Sequence, residues 1–223
     1  TLLSDGEQFP TLSDAEGHAN GRVELGDDPS QIDGPPAPVA QDVFMRDERG
    51  RVTMRPTRLE APLVLDGQLD EDIYRRVSPV GNFIQQEPNE GQLATEQTEV
   101  WVWFDDDNIY IAARCWHSEP DRIVANEMKR DSYNMFGNEI FAVVIDTFYD
   151  RRSAYNFVTN ALGGLFDATV TNERTPNLDW NTVWDVQTDR FEQGWTLEMA
   201  IPFKSLRFPS GTNQQWGINF QRR

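Results

Sequence analysis

The chain has 223 residues, with 37 acids against 20 bases and a formal net charge of −17, so a phosphate backbone is repelled and nucleic acid is excluded as a partner. Hydrophobic residues make up 38% and aromatics 11%, enough for one packed domain. The mean hydropathy of −0.62 and the lack of any apolar run of about 18 residues exclude a helical membrane span, and a single cysteine, Cys115, excludes an intrachain disulfide.

Residues 1–50 differ in character from the rest. Between Thr1 and Ala40 there are eight acids, one base (Arg22) and the run GPPAPVA, with no helical or alternating apolar pattern. This reads as an extended acidic arm that becomes ordered only by lying on something, its own body or a partner. Thr1 is not an initiator residue, which points to a processed or trimmed N-terminus.

From residue 51 onward the chain breaks into short β-rich runs separated by turn residues. VTMRPTRL (52–59) and PLVLDG (62–67) read as strands, followed by a short helix in DEDIYRRV (70–77). Further strands are expected in 98–116, 139–147, 153–160, 164–171, 183–189, 194–202 and 215–223, with one helical turn in IPFKSLRFP ended by Pro209. Strands at this spacing without long intervening helices predict an all-β antiparallel sandwich over 51–223.

The stretch TEVWVWFDDDNIYIAARCW (98–116) carries the clearest pattern. With the hairpin loop at DDDN, Phe104, Val102 and Val100 face Ile109, Ile111 and Ala113 on one side. Trp103, Trp101 and Glu99 face Tyr110, Ala112 and Arg114 on the other. Cys115 then lies on the core side. The face bearing Trp101, Trp103 and Tyr110 has three readings: second-layer packing under the domain's own loops or arm, a protein-docking surface rich in hot-spot residues, or a platform for a sugar ring.

Elsewhere the candidates are plainer. Trp180 and Trp184 read as core and rim of the sandwich and not as a ligand site, and Trp195 and Trp216 as core. The acids at the FDDDN hairpin tip lack the spacing of a calcium loop. Asp146 and Asp150, at the end of a strand in VIDTFYDRR, are the candidate oxygens for a structural calcium, with Arg151 and Arg152 as rival partners. Two histidines and no nucleophile, metalloprotease or phosphate-loop motif argue against an enzyme.

PLVLDGQLDEDIY, TEVWVWFDDDNIYIAARCW, EIFAVVID and the block from Gly194 to Arg223 resemble, in order, the successive blocks of carbohydrate-binding module family 9. The version they resemble stands at the N-terminus of large bacterial outer-membrane proteins. The resemblance runs from Arg58 to Arg223 and implies a β-sandwich of the carbohydrate-module (DOMON-like) kind, secretion to the periplasm or beyond, no catalysis and no required cofactor beyond structural calcium. In sugar-binding members the ligand lies between two tryptophans beside an acid. Here the first tryptophan position is Phe136, the acid position is Ala142, and the second tryptophan position falls beyond Arg223. An incomplete clamp together with added tryptophans on the hairpin leads to the expectation of a non-catalytic accessory subunit of a membrane-associated bacterial assembly. Its arm and its Trp101/Trp103 face would bind protein partners. The alternatives are a carbohydrate-binding module using an altered aromatic site that includes Phe136, or the N-terminal portion of a longer outer-membrane protein.

Overall fold

The hairpin register read from the sequence is present residue for residue in the computed structural model, where Val100, Val102 and Phe104 pair with Ala113, Ile111 and Ile109, and Trp101 and Trp103 pair with Ala112 and Tyr110. Residues 33–38, 43–171, 175–211 and 213–223 are described, the Thr175 side chain excepted. A small ladder joins β1 (Phe44–Arg46) to β2 (Val52–Met54), and β3 (Thr57–Arg58) and a helix α1 (Asp72–Arg76) precede β4 (Thr98–Phe104) and β5 (Asn108–Trp116). Then come β6 (Ile140–Asp146), β7 (Ala154–Asn160), β8 (Phe166–Thr171), β9 (Thr175–Asn177), β10 (Asp185–Phe191), β11 (Gly194–Pro202) and β12 (Gly217–Arg222).

Ten of these strands form two five-stranded sheets. One runs β10-β11-β5-β4-β3, antiparallel except where β3 joins β4 in parallel; the other runs β12-β6-β7-β8-β9. The core lies between them. Val100, Val102, Ile111, Cys115, Leu197 and Met199 of the first sheet meet Phe141, Val143, Ile145 and Phe157 of the second. Trp184 and Trp195 are buried in this layer, while Trp180 and Trp216, the latter expected in the core, are partly buried and pack against it. Burial pushes the Cys115 thiol up to about 12, which leaves it a small core hydrophobe.

Residues 52–67, at the start of the expected β-body, depart from the sequence reading. The run 52–59 splits into β2 and β3 at Arg55–Pro56, where proline offers no N–H to a ladder. PLVLDG joins no sheet. It crosses the outer face of the first sheet, turning Leu63 and Leu65 down onto it and Val64 out to solvent. Gly67 makes the crossing close, because at φ +84° it lies so near β10 that a Cβ would stand 2.6 Å from the Thr188 carbonyl carbon. Helix α1 follows within the expected span, and the expected turn in IPFKSLRFP is the 3-10 turn Phe203–Ser205. Two further 3-10 turns, Pro120–Arg122 and Tyr133–Gly137, carry no periodic signal in the sequence.

Most of the expected arm lies outside the described residues. Its described end, 33–38, rests on the chain's own body. Asp33 pairs with Arg51 and, at 2.6 Å, with Arg151, and Pro35 and Pro38 are buried. The β1–β2 ladder straddles residue 50.

Candidate functional site

Trp101 and Trp103 are 3% and 0% exposed. Leu59, Leu63, Leu65, Leu69, Ile73 and Tyr74 close over them, with Tyr74 edge-on to both rings at 5.4 and 4.9 Å. The Trp101 indole donates to the Val77 carbonyl at 2.8 Å. Tyr110 is buried beside them and donates its phenol to Asp105 at 2.8 Å, and burial with that bond pushes its pKa up to about 12. The layer is fixed by Glu198 of β11. This fully buried carboxylate accepts the backbone N–H groups of Asp66 and Gly67, each at 2.9 Å, and the Tyr74 phenol at 2.5 Å. Of the three readings of this face, packing under the chain's own segment 59–77 is the one the structure has.

Asp146 and Asp150 sit together at the end of β6, but their oxygens are turned to backbone donors. Asp146 accepts the N–H groups of Phe148, Asp150 and Arg151 at 3.1, 3.3 and 2.7 Å, and Asp150 accepts those of Arg152 and Ser153 at 2.7 and 2.9 Å. These are turn caps. Amide hydrogens converging on the carboxylates do not fit a calcium ion, which needs six to eight oxygens, and among the described residues no three acids, histidines or cysteines gather as a metal group.

Phe136 lies on the opposite side of the molecule, on the outer face of the second sheet. Ser132 caps the 3-10 turn Tyr133–Gly137 by accepting the Asn134 N–H at 3.3 Å. The turn lays Met135 and Phe136 over Ile140, Ala142, Val158, Phe166 and Ala168. Phe136 meets Phe166 edge-on at 5.0 Å, and Tyr133 joins them at 6.5 and 6.1 Å while remaining 60% exposed. The structure thus brings Phe136 and Ala142 to one face, with a second ring, Tyr133, beside them.

The floor of this face is small and partly polar. Registers place Ala142 between Gln221 and Val158, and Val144 between Asn219 and Asn156, with Asn156 next to Ala168. Asn156 is 7% exposed and its Oδ1 has no hydrogen-bond partner. A buried acceptor without a partner is unfavourable. One face therefore combines flat rings, two alanines that leave depth, and carboxamides at its middle and edge, a combination suited to a polyhydroxylated ring with an apolar side. Sequence reasoning missed Tyr133, Asn156 and Gln221. The alternation in SAYNFVTN already puts Asn156 opposite the core residue Phe157; what it lacks is the neighbouring strand.

The other buried charges serve the scaffold. Asp167, on the core side of β8, pairs with Arg130 and accepts the Trp184 indole and the Thr182 N–H at 3.1 Å each, although burial raises its pKa. Arg222 of β12 reaches Glu139 at 2.7 Å and the Trp116 carbonyl at 2.6 Å, tying the edge of the second sheet to the first.

Among known proteins, the sequence profile described as "Carbohydrate family 9 binding domain-like" matches residues 65–222. No curated protein matches the chain. Similar solved structures include a carbohydrate-binding module family 9 domain from Caldicellulosiruptor kristjanssonii in complex with cellotriose, 15% identical, covering 74% of each chain with a TM-score of 0.50. The same organism's module in complex with glucose is 15% identical, with 74% of this chain and 78% of that one covered and a TM-score of 0.51. A candidate carbohydrate-binding protein from Bacteroides uniformis is 11% identical, with 75% and 81% covered and a TM-score of 0.52. At these identities the likeness is one of fold, an antiparallel sandwich.

These findings correct the leading functional expectation. The accessory, protein-docking subunit rested on an open Trp101/Trp103 face and an altered family role. The face is closed by the chain's own residues, and the profile match favours the carbohydrate-binding alternative. With 65–222 matched as a unit and both sheets of the sandwich falling largely within that span, the chain belongs to the carbohydrate family 9 binding domain-like family.

Proposed function

We propose that this chain is a carbohydrate-binding module that holds a saccharide on the outer face of its second sheet. Tyr133 and Phe136 form the apolar plate, and Asn156 and Gln221 act as hydrogen-bonding groups. The observation that carries the reading is the buried, unpartnered Asn156 Oδ1 on the same face as an exposed tyrosine ring. In this reading the Asn156 carboxamide turns outward to accept from a saccharide hydroxyl while the ring's C–H side rests on the aromatics. The clamp differs from the two-tryptophan arrangement that the resemblance implies, because one plate is Phe136 with Tyr133 and the acid position is Ala142.

In this reading the domain binds and does not turn its ligand over. It works outside the cytoplasm, where polysaccharides are met and where a strongly acidic surface is well tolerated. No helix among the described residues is long and apolar enough to cross a membrane.

Isothermal titration with glucose, cellotriose and a wider oligosaccharide panel tests the proposal. Binding that weakens about tenfold or more in Tyr133→Ala, a change of 1.4 kcal/mol or more, is the expected result. Binding of undiminished strength in that variant overturns the placement.

A further inference from the structure

The plate proposed for the saccharide stands on very little chain. Tyr133 and Phe136 both belong to the 3-10 turn Tyr133–Gly137, and a turn that short has poor hydrogen-bond geometry and no stability of its own. Its place has to be imposed from outside, and two buried asparagines impose it.

Asn160, the last residue of β7, is 0% exposed, and Asn138, next after the turn, is 6% exposed. Asn160 Nδ2 donates to Asn138 Oδ1 at 3.0 Å and to the Glu127 carbonyl at 2.7 Å, while its Oδ1 accepts the Leu162 and Gly164 N–H groups at 3.0 and 3.1 Å. Asn138 Oδ1 also accepts the N–H groups of Asn126 and Glu127 at 2.7 and 3.1 Å. Its Nδ2 donates to the Asn134 carbonyl, inside the turn, at 3.1 Å and to Asn126 Oδ1 at 3.0 Å. Every polar atom of both carboxamides is used. A fully satisfied buried network holds one arrangement, because a shift leaves a buried polar group open.

The other end of the turn is tied to the same knot. Ser132 Oγ accepts the Asn134 N–H at 3.3 Å and donates to the Glu127 carboxylate at 2.7 Å. Asn134, which stands between the two rings in sequence, is thus held through both its N–H and its carbonyl. Gly164 closes the packing, since a Cβ there would stand 2.8 Å from the Glu127 carbonyl oxygen and 2.7 Å from the Met135 methyl carbon. Burying two carboxamides carries a desolvation cost that an apolar pair does not; what the pair adds is a fixed position for the turn.

We infer that Asn138 is a positioning residue for saccharide binding. It is too buried to reach a ligand itself. Held by Asn160, it sets the turn so that the Tyr133 and Phe136 rings stand in place before a saccharide arrives, and binding carries no cost for ordering them. The inference rests on the Tyr133–Phe136 reading and deepens it by assigning what fixes the plate.

The test is titration of cellotriose and the methyl glycosides of glucose, galactose and mannose into wild type, Tyr133→Ala, Asn138→Ala, Ser132→Ala, and Tyr133→Ala combined with each of the other two. All are measured well below the thermal midpoints found on the same preparations. Asn138→Ala and Tyr133→Ala are each expected to weaken binding about tenfold. Their double variant should bind about as weakly as Tyr133→Ala, well short of the roughly hundredfold loss that independent contributions give. A lowered midpoint with wild-type affinity in Asn138→Ala, beside a weakened Tyr133→Ala, overturns the inference and leaves the proposed function standing. The full product of losses in the double variant also overturns it, because Asn138 then acts other than through the plate. Tyr133→Ala binding as tightly as wild type overturns the proposed placement and the inference with it, as does no binding of any probe. Where Asn138→Ala does not fold, Ser132→Ala, which frees the same turn at its other end from a half-buried position, is read by the same criteria.

Discussion

Tyr74 donates its phenol to Glu198 at 2.5 Å, across 124 residues of sequence, and this bond fastens the crossing segment to the first sheet. Glu198 also accepts two backbone amides, so Glu198→Ala leaves three buried donors open at a cost of about 3 kcal/mol or more. A glutamine can accept both amides through its oxygen and donate to the phenolic oxygen, so Glu198→Gln is expected to keep the fold. Burial raises the Glu198 pKa in the folded state above its ordinary 4.5. A carboxyl raised on folding stabilises fully below the unfolded value, and that contribution is lost as pH rises through the folded one. Urea unfolding from pH 4 to 8 should therefore show stability declining with pH in wild type through this group, and a shallower decline in Glu198→Gln. An identical slope in the two proteins would falsify the assignment.

Arg222 and Glu139 form the second long-range fastening. Their side chains are 11% and 10% exposed, and the guanidinium also bonds the Gln97 and Trp116 carbonyls while Glu139 accepts the Trp195 indole at 2.7 Å. Removing one charge leaves the other buried, so Arg222→Leu should cost about 3–5 kcal/mol. The double variant Arg222→Leu with Glu139→Leu should recover part of that loss. Denaturant midpoints for the two proteins check this, and a double variant weaker than the sum of the single changes counts against it.

The tryptophan face makes a stability prediction where docking would have made a binding one. Trp103→Ala empties a fully buried indole site and should cost about 3–5 kcal/mol. Trp103→Phe should be mild, since the Trp103 indole N–H has no partner to lose. Gly67→Ala should destabilise strongly at a site that touches no tryptophan, because its Cβ has no room against β10 and its φ is positive. Thermal unfolding separates the three. A Trp103→Ala protein as stable as wild type shows that the crossing segment does not close over the ring.

What the sequence made legible follows from how local each signal is. The hairpin register and the inward placement of Cys115 and Trp195 come from alternation along single strands, and all are found; Trp216, read as core by the same alternation, is only partly buried. The cover over Trp101 and Trp103 was not legible, because PLVLDG has the alternation of a strand yet lies across a sheet and not in one. Its place is set by Glu198, far along the chain. On the other sheet, the resemblance singled out Phe136 and Ala142, and the two lie on one face. Tyr133 and Asn156 were not singled out, since only a 3-10 turn without periodicity and the pairing of β7 with β6 and β8 bring them to that face.

Calcium makes a direct test of the Asp146–Asp150 turn. With the Asp146 carboxylate already capped by three amides, chelation with EDTA should leave the melting temperature unchanged, and added calcium should not raise it. Asp146→Ala should destabilise by about 1–3 kcal/mol by opening those amides, equally with and without calcium. A rise in melting temperature that saturates with calcium and vanishes in Asp146→Ala overturns the turn-cap reading.

Asn156 separates folding from binding on the candidate face. Its Oδ1 is buried without a partner, so in the free protein Asn156→Ala removes an unsatisfied acceptor along with a small packing volume. Loss of the open polar group favours the variant by about 1 kcal/mol and loss of contacts opposes it by a similar amount, so the melting temperature should change little. Saccharide affinity should fall about tenfold, because the hydroxyl that met that oxygen loses its acceptor. A purely structural asparagine predicts the opposite pattern, a stability loss with affinity intact. Measuring both quantities on one preparation of Asn156→Ala therefore distinguishes an oxygen held open for a ligand from one that happens to be left over in the fold.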